Sequence, residues 1–285
     1  MTVGKIELGR RLFFDPILSS DRSISCASCH EPERAFADPR AVSTGVAGRK
    51  GIRNSPTLVN VAYLRELFWD GGALTLENQV LAPLQDHNEM DAELSVVLSR
   101  LAEDDAYAKA FEAEFGTEPT VANLTQSIAA YERTIVSGGS RYDDYKSGTA
   151  TALTATERIG LELFEGKAGC VSCHSGFLLT SAGYANNGLV HAEADSGRAR
   201  ISLDSADAGL FRIPSLRNVA ITGPYMHDGR MNSLPDVIEH YDRGGEDARN
   251  QDDRIIPLKL SSSERSAIVA FLESLTDRKI HEGIQ

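Results

Sequence analysis

Cys26-Ala-Ser-Cys29-His30 and Cys170-Val-Ser-Cys173-His174 share the form Cys-x-x-Cys-His and together use every cysteine of the chain. This is the attachment signature of c-type haem. Two thiols three residues apart on one helical turn can each form a thioether to a haem vinyl group, and the next residue turns its imidazole onto the iron. Two copies imply two covalent haems. A zinc centre would draw four cysteines into one tetrahedron, but the two runs lie half a chain apart and each brings its own histidine. A thioredoxin-like dithiol would need a βαβ context, which the pattern around the cysteines lacks.

The chain has 285 residues, enough for one large or two ordinary domains. One motif in each half favours two. Hydrophobic residues at 41% and charged residues at 25% exclude a disordered or fibrous chain. No apolar run reaches the ~18 residues that span a bilayer, so no membrane span is expected. The formal net charge of −12, made more negative by haem propionates, argues against a nucleic-acid ligand. Partners of a protein or small-molecule kind remain. With every thiol committed to haem no disulfide is available, and haem attachment is completed outside the bacterial cytoplasm. The expected location is therefore the periplasm, with a signal peptide already removed ahead of Met-Thr-Val-Gly-Lys-Ile-Glu.

Working outward from the motifs, Lys5 to Phe14 reads as an amphipathic helix stopped by Asp15-Pro16. Glu31 to Ile52 is rich in Gly, Pro, Arg and Ala and reads as a loop around a haem edge. From Leu76 to Val136 helical periodicity dominates: Leu94, Val97, Leu98 and Leu101 share one face, as do Leu124, Ile128 and Tyr131. Ser137-Gly138-Gly139-Ser140 breaks it. Thr154-Ala155-Thr156-Glu157 has the form of a helix start feeding into the second motif, a weak repeat of the first half. Ser261-Ser262-Ser263-Glu264 opens a last helix running to about Leu275. The expected fold is mostly α with little β: two cytochrome c-like domains, residues 1–140 and 141–285, each enclosing one haem.

Around the motifs stand Arg53-Asn54-Ser55-Pro56-Thr57, Phe68-Trp69-Asp70-Gly71, Asn88-Glu89-Met90 and Pro224-Tyr225-Met226-His227-Asp228-Gly229. In this order they resemble the blocks of bacterial diheme cytochrome c peroxidases and MauG-like enzymes, over Leu8 to about Gly245. Two departures from the peroxidases point within that superfamily to a MauG/MbnH-like subgroup. Where peroxidases carry a histidine that caps the first iron, in a run like Ser-Thr-Gly-His, this chain reads Ser43-Thr44-Gly45-Val46. Valine offers iron no lone pair. Where they place a methionine on the second iron, fourteen residues after His227, this chain has Tyr241. A phenolate favours oxidised iron, whereas a thioether favours Fe(II). On spacing alone Met226, Met231, His191 and His240 are alternatives for that ligand.

The resemblance implies further roles. His30 and His174 bind the two irons, Glu89 serves as acid and base for peroxide, and Gln79 is its hydrogen-bonding neighbour. Trp69, the only tryptophan, passes oxidising equivalents between haems. Pro83 matches a residue near the distal pocket. Asn54, Thr222 and Pro224 match a Ca²⁺ site, which would be weak without carboxylates. Taken alone, Glu89 reads rather as a helix-start carboxylate, and Trp69 as a core aromatic, a reading compatible with its role between haems. His87 is placed at the surface or pocket edge, and His281 in the tail. The implied activity uses hydrogen peroxide to form a high-valent, bis-Fe(IV)-type state, which then oxidises an aromatic residue, expected to be Trp, of a periplasmic partner protein. The alternative is a peroxidase fed by a small cytochrome or copper protein. A pure electron carrier or haem-based sensor is a third reading.

Overall fold

A computed structural model describes residues 1–189 and 195–279 of the chain; His191 and His281 lie outside the described residues. The chain divides into two compact units: Met1–Leu67 with Ala73–Val136, and Phe68–Gly72 with the chain from Ser137 onward. The division falls between Val136 and Ser137 rather than at 140, and five residues of the first half group with the second unit.

In the first unit helix α1 (Val3–Phe14) starts where the Thr2 side chain accepts from the Lys5 amide. It stops at Asp15, because the following Pro16 disfavours a helical residue before it. Leu8, Leu12 and Phe13 line its buried face. Helices α2 (Leu76–Gln85), α3 (Leu94–Glu103), α4 (Asp105–Phe115) and α5 (Val121–Glu132) follow. Helix α5 opens with a Thr120/Asn123 capping box and packs against α1 and α2. The α1 and α5 backbones touch at Gly9, where an added Cβ would sit 1.8 Å from the Ser127 carbonyl oxygen. One turn on, the rings of Phe13 and Tyr131 meet at 5.2 Å.

The second unit repeats this device. After the short α6 (Arg141–Lys146), helix α7 (Ala155–Glu165) opens on a Thr154/Glu157 capping box. Strand β1 (Tyr184–Ala185), helix α8 (Ala199–Ser202), strand β2 (Phe211–Arg212), helix α9 (Leu234–Arg243) and helix α10 (Ser262–Glu273) follow. Helix α7 crosses α10 at Gly160, whose Cβ would lie 2.0 Å from the Ala267 carbonyl oxygen, and Phe164 meets Phe271 at 5.1 Å. These rings anchor a core with Leu153, Leu161, Ile268 and Leu275. The buried Arg217 guanidinium ties this unit together: it grips Asp143 at 2.8 and 2.9 Å and lies 3.9 Å from the Phe177 ring centre.

Strands β1 and β2 pair antiparallel, Tyr184 opposite Arg212. Segment 68–72 is held beside them: the Arg212 amide donates to the Trp69 carbonyl at 2.7 Å, and the Arg212 Nε donates to the Phe68 carbonyl at 3.0 Å. Fully buried Asp70 takes the Arg200 guanidinium at 2.8 Å. Among the described residues no helix is long and apolar enough to cross a membrane.

Candidate haem sites

Each Cys-x-x-Cys-His run forms a tight 3-10 turn, Cys26–Ser28 and Cys170–Ser172, rather than the α-helical turn the spacing suggests. The turn still brings the histidine back onto the cysteines, since the His30 and His174 amides donate to the Cys26 and Cys170 carbonyls at 3.0 and 2.9 Å. None of the four cysteines is in a disulfide.

Both histidines are oriented by backbone. His30 Nδ1 lies 3.0 Å from the Phe36 carbonyl oxygen, and His174 Nδ1 lies 3.1 Å from that of Leu179. A carbonyl only accepts, so Nδ1 carries the proton and Nε2 keeps a free lone pair, as an iron ligand requires. The carbonyls of Pro56 and Pro214 also face these rings. Desolvation lowers both imidazoles, His174 to about 4, so each is neutral at pH 7.

In the first unit these groups line one concavity that is partly open to solvent. Cys26, Cys29 and His30 line it together with apolar Phe13, Ile24, Val80, Leu84 and Ile128. Two thiols, a neutral imidazole and apolar walls in one space fit a covalently attached haem. Gln79, Pro83 and Glu89 line the same space. Glu89 itself is exposed by surface area, yet the protein packed around its carboxyl desolvates it. This desolvation, with the Asp86 carboxylate nearby, pushes its carboxyl up to about 7. Val46 is buried, and its amide donates to the Glu89 carbonyl at 2.8 Å. Neighbouring Gly45 leaves no room for a side chain, since a Cβ there would lie 2.1 Å from the Asn88 carbonyl oxygen.

One lining residue was singled out by no motif. Glu132, the last residue of α5, is 4% exposed and lines the cavity, and its Oε2 has no hydrogen-bond partner. Comparing the two units at the helix crossings would have found it, because Leu272 stands at the matching place.

In the second unit Tyr241, on α9, stands near Cys170 and Cys173 and is hydrogen-bonded by the Asn187 side chain; desolvation pushes its phenol up to about 12. The alternatives are differently engaged. His240 is fully buried, with Nε2 2.8 Å from the Asn187 carbonyl oxygen and Nδ1 without a hydrogen-bond partner. The Met226 sulfur accepts from the Asn187 amide nitrogen at 3.2 Å, and Met231 bridges Tyr225. Trp69 is 9% exposed. Thr222 Oγ1 donates to the Val219 carbonyl, and Pro224 is buried. Asn54 belongs to the first unit, buried, with Nδ2 donating to the Arg40 carbonyl at 3.0 Å. Among the described residues no cluster of three His, Cys, Asp or Glu forms a metal site. His87 is exposed beside Asp91.

Fold and sites together define a two-haem cytochrome of the c type. Residues 4–151 match the family described as di-haem cytochrome c peroxidase. The chain is 38% identical to the methylamine utilization protein MauG of Methylorubrum extorquens, over 96% of this chain and 79% of that one. It is 36% identical to the cytochrome-c peroxidase IdrP1 of Denitromonas iodatirespirans, over 99% and 84%. A solved MauG-like protein associated with microbial copper homeostasis superposes with a TM-score of 0.92 at 35% identity, over 99% and 91%. The chain belongs to the di-haem cytochrome c peroxidase family, within the superfamily that includes MauG: peroxide-dependent oxidoreductases with two c-type haems.

Proposed function

We propose that this is a periplasmic, MauG/MbnH-like enzyme that uses hydrogen peroxide to oxidise an aromatic residue, Trp foremost, of a partner protein by long-range electron transfer. The observation that carries the reading is the first cavity, where Cys26, Cys29 and His30 share one space with Glu89 and Gln79, while Val46 stands where the resemblance places a capping histidine. When bound, the two haems supply two-electron reduction of peroxide and hold the oxidising equivalents until the partner is oxidised.

The chain's residues supply the rest. His30 and His174 present Nε2 to the irons, with Cys26, Cys29, Cys170 and Cys173 as thioether anchors. Glu89 is half ionised near neutral pH and moves a proton from one peroxide oxygen to the other, while Gln79 orients the peroxide by a hydrogen bond. Tyr241 offers its oxygen to the second iron. That assignment is supported by its place near Cys170 and Cys173. Trp69 would pass charge between the haems, as the resemblance implies. The resemblance alone assigns Asn54, Thr222 and Pro224 as oxygen donors for Ca²⁺.

The comparable likeness to a cytochrome-c peroxidase favours a second reading, peroxide reduction with electrons from a small cytochrome or copper protein. Mass spectrometry of a tryptophan-containing peptide treated with holoenzyme and peroxide separates the two. Oxidised tryptophan is expected. Fast peroxide turnover with a reduced c-type cytochrome, and an unmodified peptide, would establish the second reading instead.

A further inference from the structure

Glu132 is a carboxyl that the fold does not need. The crossings Gly9/Ser127 and Gly160/Ala267, and the ring pairs Phe13/Tyr131 and Phe164/Phe271, put the two units in register. One residue beyond Tyr131 is Glu132, and one beyond Phe271 is Leu272. Both are 4% exposed. The same helix end is closed by an apolar side chain in one unit and by a carboxyl in the other. Burying a carboxyl without a hydrogen-bond partner costs free energy that leucine does not, and the Glu132 Oε2 has none. It lines the cavity that holds Cys26 and His30.

We infer that Glu132 is a proton-exchanging group of the first haem site, taking up a proton when that haem gains an electron and releasing it when the electron leaves. The inference rests on the first cavity holding a haem, as proposed above. One electron from an external one-electron donor goes to the iron, and one proton from solvent goes to the carboxylate. The added negative charge on the haem raises the proton affinity of a carboxyl in the same low-dielectric space.

Other charged groups face it from each neighbouring element. Cys26 comes from the motif turn, and becomes a thioether on attachment. Glu77 of α2 is already held by Arg133 at 2.8 Å. Glu89 and Arg53 come from the cavity-lining loops, and α1 presents apolar Phe13. Burial pushes Glu132 up to about 8, with Arg133 opposing and Glu77 adding to the rise. Its exchange with solvent therefore falls in an accessible pH range.

The test is a spectroelectrochemical titration of the first haem between pH 6 and 9, on holoenzyme whose two haems have been counted by mass. Wild type, Glu132→Gln, Glu132→Leu and Glu89→Gln are compared. In wild type the reduction equilibrium is expected to fall with rising pH, the slope steepening above pH 8 toward at most tenfold (59 mV) per unit. Both Glu132 variants lose the slope above pH 8, while Glu89→Gln, which removes the carboxyl near 7, changes only the part below it. Leucine is what the second unit carries at this place, so the Leu variant is expected to fold. A slope unchanged in both Glu132 variants, or absent from wild type with two haems attached, overturns the inference alone. Lack of a haem on Cys26 and Cys29 overturns the proposed function and this inference with it.

Discussion

Glu89 owes its raised carboxyl to desolvation beside the cavity and to Asp86, and the sign of its pH effect follows. A base must be ionised to take a proton, so with a pKa near 7 its active fraction is small at pH 6 and complete by pH 8. The rate of peroxide reaction is expected to rise through pH 7 and level off. Glu89→Gln should lower the plateau by about 10²–10⁴-fold and flatten the profile, measured by stopped-flow absorbance. At this scale the residue types were readable from the chain: Cys26, Cys29, His30, Gln79 and Glu89 are named by motif and resemblance, and they line one cavity. What hid Glu132 was its setting. It sits in an unremarkable Ala-Tyr-Glu-Arg run on a helix whose polar residues would ordinarily face water, and only packing against α1 and α2 buries it. The carbonyls that orient His30 and His174 were hidden too, because every residue has a carbonyl and only the fold aims it.

Helices α1 and α7 start and stop where local chemistry says they should: Asp15-Pro16 ends the first, and the Thr154/Glu157 box opens the second. What local chemistry does not show is the purpose of Gly9 and Gly160. Glycine costs a helix up to about 1 kcal/mol, so a mid-helix glycine calls for a packing reason. Here the partner carbonyls occupy the Cβ positions. Gly9→Ala and Gly160→Ala are each expected to push the crossing helices apart and destabilise their unit by at least about 1–3 kcal/mol. Denaturant unfolding of the holoenzyme, followed at each haem's own absorbance, should show the loss in the substituted unit first. The helical turn expected at the cysteines is a 3-10 turn instead, a shorter repeat that still gathers two thiols and an imidazole. The placement of Phe68–Gly72 with the second unit was not legible either. It depends on backbone bonds to Arg212 and an ion pair to Arg200, partners more than a hundred residues away in sequence.

The whole molecule is one architecture used twice with different fillings. Both units pack a haem-motif helix across a C-terminal helix through a glycine, and both aim a neutral histidine by its Nδ1. The first adds Glu89, Gln79 and Glu132 around open space; the second places Tyr241 near its cysteines. That asymmetry underlies the central claim, that one haem meets peroxide and the other stores oxidising equivalents. Electron paramagnetic resonance of the ferric holoenzyme, before and after one equivalent of hydrogen peroxide, tests it most directly. One high-spin and one low-spin ferric signal are expected, both lost together on peroxide addition; two low-spin signals that peroxide leaves unchanged would refute this division of roles.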